Sequence, residues 1–113
     1  MSDTGAAPER GTTDRRRVLF AVHTGRRDIL ELARAAATRL LRGGITVRLL
    51  EEEAGALDIA GAEVVAADED AAAGTEIVMV YGGDGTFLRA AELARFGGAA
   101  LMGVNLGRVG FLA

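Results

Sequence analysis

Four five-residue segments with the composition of strands, three of them free of polar or charged side chains other than the Tyr81 hydroxyl, set the strongest limit on how this chain can fold. They are Val18-Leu19-Phe20-Ala21-Val22, Ile45-Thr46-Val47-Arg48-Leu49, Ile77-Val78-Met79-Val80-Tyr81 and Ala100-Leu101-Met102-Gly103-Val104. The first, a short apolar run with β-branched and aromatic members, suits a strand buried on both faces; the third reads as another buried strand, and the other two read as strands. A stripe at helical spacing (Ile29, Leu32, Ala33, Ala36, Leu40) separates the first two, with Asp28 placed to cap its start and Gly43-Gly44 to stop it. A second helix should follow Tyr81, burying Phe87, Leu88, Ala91, Leu93 and Ala94 and ending at Gly97-Gly98. Strands alternating with helices pair in parallel through right-handed crossovers. The expected fold class is therefore α/β: an open, mostly parallel sheet flanked by helices. Residues 50–74 carry weaker signals, a short strand near Glu63-Val64-Val65 and an alanine-rich helical turn around Ala71 to Ala73. Residues 1–16 hold the only proline and few large apolar side chains, and read as a disordered tail ahead of a single domain over 17–113.

Composition narrows the function. Thirteen basic residues against sixteen acidic ones give a formal charge of −3, which argues against a general nucleic-acid binder. The absence of cysteine excludes disulfides and thiolate metal sites. No apolar run approaches the roughly 20 residues that cross a bilayer, and residues 1–16 lack a secretory signal; a soluble, cytoplasmic protein is the default expectation. Every basic residue is arginine, so a phosphate site here must rely on arginine, backbone N–H groups or a metal ion rather than a P-loop lysine. Between Arg48 and Arg89 stand ten carboxylates and no base, a pattern that reads as a solvated acidic loop region.

In an open α/β sheet, ligands bind beyond the carboxyl ends of the strands. Three turns leave such ends here: His23 to Arg27, Gly82 to Thr86, and Asn105 to Gly110. The middle one says most. Glycines at 82, 83 and 85 permit unusual backbone shapes and close approach of a ligand. The helix behind them points free N–H groups and a positive dipole end at that ligand, as suits a phosphate. A carboxylate inside an anion site is locally unfavourable, so Asp84 should hold a cation or accept a proton; the plainer alternative is a helix cap. Arg89 either faces the same mouth from the first helical turn or is solvated. His23, the only histidine, reads as structural before catalytic; Tyr81 and Phe87 read as core. Arg108 is a candidate phosphate contact, and Asn105 fixes its turn or touches ligand, the turn being preferred.

Gly82-Gly83-Asp84-Gly85-Thr86, followed by Phe87-Leu88-Arg89-Ala90-Ala91, resembles the GGDGT motif of the NAD kinases. Asn105-Leu106-Gly107-Arg108-Val109-Gly110-Phe111-Leu112-Ala113 resembles their second signature, and Val22-His23-Thr24-Gly25-Arg26 is similar to the actinobacterial branch. The first motif is shared with diacylglycerol-type lipid kinases; the second singles out NAD kinase. The resemblance implies a Rossmann-like N-terminal domain that transfers a phosphoryl group from ATP, or polyphosphate, to the 2′-hydroxyl of the adenosine ribose of NAD, giving NADP. It also implies a divalent cation such as Mg²⁺ and, at full length, a homo-oligomer; no nucleic-acid or membrane partner is expected. Asp84 matches the family's proton acceptor and ribose contact, Gly85 and Arg89 match NAD contacts, and Gly82, Gly83 and Asn105 belong to the same binding motifs. No family position points to a protein metal ligand.

The resemblance implies that NAD kinases continue into a β-rich domain, which residues 1–113 are not expected to include. The chain's last residues form an apolar run, which suggests the N-terminal part of a longer protein, weak in dinucleotide binding and turnover by itself. Two other readings stay open at this point: a lipid kinase domain, and a non-catalytic nucleotide-binding module.

Overall fold

The computed structural model describes residues 16–104. Five strands appear in chain order: β1 (Arg17–Val22), β2 (Thr46–Leu50), β3 (Glu63–Val65), β4 (Ile77–Tyr81) and β5 (Ala100–Val104). Three helices join them: α1 (Arg27–Arg42), α2 (Glu51–Leu57) and α3 (Asp84–Gly97). The sheet order is β3-β2-β1-β4-β5 with every pair parallel. The expected α/β class and open parallel sheet are both present.

Successive residues of a strand point to opposite faces, and β1 shows the consequence. Val18, Phe20 and Val22 pack beneath Ile29, Ala33 and Ala37 of α1. Leu19 and Ala21 pack on the other face with Ala90, Leu93 and Ala94 of α3. Full burial of a side chain such as Phe20 contributes about 1.5–3 kcal/mol, so this central strand anchors two cores at once. Because α1 and α3 cover opposite faces, the chain winds outward in one direction from β1 and in the other from β4. The strand order therefore switches between β1 and β4, and their carboxyl ends frame the place where open α/β sheets leave a crevice.

Several local expectations need correction. The N-cap of α1 is Arg26, and Asp28 lies inside the first turn. Its carboxylate accepts from the Ile29 N–H at 2.9 Å and pairs with Arg26 at 2.7 Å. Leu88, expected to be buried, is 69% exposed, because α3 turns Ala90, Leu93 and Ala94 toward the sheet. Ala71 to Ala73 form turns rather than a helix; Arg48 holds them by donating to the carbonyls of Ala71 and Ala73, both at 2.8 Å. The acidic stretch is not all solvated loop. Glu51–Leu57 is helical, with three glutamates in the first turn, where the helix dipole favours negative charge. Arg34 caps its other end by donating to the carbonyls of Ala56 and Leu57. Arg16 extends the sheet: its carbonyl accepts from the Thr46 N–H at 2.8 Å.

Candidate active site

Beyond β1 the ladder runs one step further, the His23 N–H donating to the Tyr81 carbonyl at 2.8 Å. That bond sets the His23–Arg26 turn beside the Gly82–Thr86 turn. A cleft of about 530 Å³ opens between them, walled by Ile29 and Leu32 of α1, Tyr81 of β4 and Val104 of β5. Tyr81 packs on Phe20 with ring centroids 4.8 Å apart. Its hydroxyl is buried and finds no partner among the described residues, and burial pushes the phenol well above its usual range.

Gly82 sits where the two turns meet, at φ +155°. A Cβ there would stand 2.8 Å from the His23 Cβ and 2.9 Å from the Thr86 Oγ1, closer than packed atoms tolerate. Only glycine fits. Gly83 and Gly85 differ from it, correcting the expectation that all three glycines serve special backbone shapes. Neither adopts a positive φ, and a Cβ on either would meet nothing within 4 Å. The fold has no need of glycine at 83 or 85, and both border the cleft.

Asp84 is the first residue of α3 and is exposed to the cleft. The helix cap is Gly83, and no side chain caps it, so the reading of Asp84 as a cap does not hold. No described arginine pairs with its carboxylate. The Phe87 N–H donates to the Gly83 carbonyl at 2.9 Å. The N–H groups of Asp84, Gly85 and Thr86 precede that bond and have no helical acceptor. A free carboxylate thus stands beside a cluster of free donors, an arrangement able to bind phosphate while taking a proton from a neighbouring hydroxyl.

Two other candidates fall in instructive places. His23 is exposed at the cleft rim rather than packed in the core. Arg89 pairs with α2 and not with Asp84. Its guanidinium forms an ion pair with Glu52 and lies 3.7 Å from Glu53, both on α2. These residues border a second cleft of about 330 Å³, which shares His23 and Thr86 with the first. Glu53 was missed in the sequence. It is 6% exposed, and one carboxylate oxygen accepts from the Val22 N–H at 2.8 Å. The available signal was its spacing from Leu57, one helical turn away on the buried stripe. Asn105 and Arg108 lie outside the described residues. Among the described residues, no group of three or more His, Asp or Glu side chains is placed to hold a metal ion.

A family model, the ATP-NAD kinase N-terminal domain, matches residues 18–113. The protein named NAD kinase from Thermobifida fusca is 56% identical over 108 residues, covering 91% of this chain and 33% of that protein. The NAD kinase of Mycobacterium bovis is 50% identical over 113 residues, covering 89% of this chain and 37% of its own length. That of Rhodococcus jostii is 44% identical over 119 residues, covering 91% and 37%. The chain thus spans about a third of the length of these relatives.

Proposed function

The chain belongs to the NAD kinase family, and on that premise we propose that it supplies the acceptor-activating part of a kinase acting on NAD. The reaction is phosphoryl transfer from ATP, or from polyphosphate, to the 2′-hydroxyl of the adenosine ribose. The observation that carries this reading is Asp84: an exposed carboxylate at the switch-point crevice, on the first turn of a helix without a side-chain cap.

Phosphoryl transfer asks the protein for alignment and charge neutralisation more than covalent chemistry. Asp84 stands beside the ribose and accepts the hydroxyl proton as the phosphoryl group arrives, an effect worth about 10²–10⁴-fold. Gly83 and Gly85 leave the backbone bare, so phosphate oxygens can approach the N–H groups of the first turn of α3. Gly82 keeps that turn against His23, and the arginines supply the positive charge that lysine would bring elsewhere. Asn105 is assigned to the same site from the sequence motif alone. A divalent cation such as Mg²⁺, when bound, neutralises phosphate charge. Asp84 stands outside any acidic cluster among the described residues, which would suit a cation held chiefly by the phosphates. Among the described residues no helix is long and apolar enough to cross a membrane, which is compatible with a cytoplasmic enzyme.

The test replaces the corresponding third of the Thermobifida fusca relative with this chain and assays NADP formation from NAD and ATP. Turnover that Asp84→Asn abolishes while NAD binding persists supports the assignment. Unchanged turnover in that variant removes Asp84 from the reaction.

A further inference from the structure

Glu53 occupies a place where the sheet would otherwise fail. The β1–β2 register ends at Phe20 opposite Leu49, and β2 passes directly into α2 after Leu50. The next N–H of β1 on that side belongs to Val22, and it has lost its β2 carbonyl. The Glu53 carboxylate takes that carbonyl's place at 2.8 Å. Its other oxygen faces the Arg89 guanidinium at 3.7 Å, while Glu52 pairs with the same guanidinium from outside. One buried side chain therefore joins α2, the carboxyl end of β1 and α3, directly behind the residues that wall the crevice.

We infer that Glu53 is a positioning residue of the nucleotide site: it completes β1 at the rim of the crevice and holds Arg89 against α2, so that an anionic nucleotide must compete for that guanidinium. This inference rests on the nucleotide-kinase reading above. Glu53 touches no reacting atom in it; Glu53 acts through Val22 and Arg89. The charged and titratable groups that face it are Arg89 on α3, Glu52 on its own helix and His23 on the β1–α1 turn. Burial raises its carboxyl to about 7, against the pull of the Val22 N–H and of Arg89, and Glu52 adds to the rise. The folded chain therefore binds a proton here more tightly than the unfolded one. Between the ordinary glutamate value of about 4.3 and about 7, stability falls as pH rises. Across the same neutral range, protonation removes one negative charge facing Arg89, and an anionic ligand gains.

The experiment measures NAD binding to the chimaeric kinase by calorimetry between about pH 5.5 and about pH 8.5, with the 113-residue chain kept for spectroscopy. A His23→Gln background keeps the imidazole out of the titration, and the Val22 amide is followed by NMR over the same range. With Glu53 present, NAD binds about three- to tenfold more tightly at the acid end, as one like charge at short range predicts, with its midpoint near 7. The Val22 amide shifts with that midpoint. Glu53→Gln keeps an acceptor for Val22 but no charge, so affinity becomes flat at the acid-limit value and the amide titration disappears. Glu53→Ala loses the acceptor too and binds more weakly than Glu53→Gln at every pH; if it fails to fold, Glu53→Gln and the amide titration decide. A Glu53→Gln protein that keeps the pH dependence, or a Glu53→Ala protein as tight as Glu53→Gln, overturns the inference. Absence of NAD binding at every pH, with Glu53 present, overturns the functional reading and this inference with it.

Discussion

The β1–α1 and β4–α3 turns leave neighbouring parallel strands in the same direction, and each helix carries an aspartate in its first turn. In the first turn the aspartate is engaged by its own neighbourhood. Arg26 and the Ile29 N–H both donate to Asp28, and the Arg26 hydrogen bond holds its carboxyl below the usual carboxylate range. In the second, Asp84 faces the cleft with no described arginine paired to it, and the adjacent glycines carry no side chain to cover the helix N-terminus. One turn closes on itself and the other stays open. The difference teaches that topology brings both helix ends to the crevice, while local partners decide which of them remains available to a ligand.

Exchanging the roles of the two aspartates should break this contrast most visibly. Asp84→Asn in the chimaeric kinase is expected to lower NADP formation by about 10²–10⁴-fold, with NAD affinity retained; Asp28→Asn is expected to leave turnover within a factor of two or so, as weak exposed pairs do. Next in size is Gly82→Ala. Its Cβ has to displace His23 and Thr86, and the cost of about 1–3 kcal/mol should appear as a lower Tm by calorimetry and as loss of NAD binding together. Gly85→Ala sharpens the contrast further, because its effects on stability and binding carry opposite signs. The position is helical and unobstructed, so alanine should stabilise the ligand-free chain by about 0.5–1 kcal/mol while weakening NAD by crowding the phosphate approach. A Gly85→Ala protein that binds NAD normally would refute the close approach proposed there. The smallest effect is expected from Asp28→Ala, whose exposed pair with Arg26 should shift Tm by no more than the scatter between runs.

Much of this was legible in the chain itself. The four segments marked four of the five strands within a residue or so; β1 is buried on both faces as expected, whereas β5 at the sheet edge has no fully buried residue. Gly43 and Gly98 stand at the ends of their helices, and Asp84 was singled out by the conflict between a carboxylate and its glycine-rich surroundings. What the chain hid has a common cause. Leu88 looked like core because its spacing from Ala91 is helical, yet α3 meets the sheet along Ala90, Leu93 and Ala94. Asp28 has the chemistry of a cap, but the backbone places the cap two residues earlier, at Arg26. Glu51, Glu52 and Glu53 look alike in sequence, and only the abrupt passage from β2 into α2 sends the third of them inward.

Local patterning, being a property of neighbours in sequence, therefore determined the fold class, the central strands and the glycine-flanked acid. Tertiary structure alone decided the partners. Which carboxylate is engaged, which is buried and which stays free depends on side chains and strand ends that meet across 31 residues, as Glu53 and Val22 do, or 36, as Glu53 and Arg89 do (89 − 53). Hydrogen bonds and charge pairs act over a few ångströms of space, and no spacing along the chain encodes that distance.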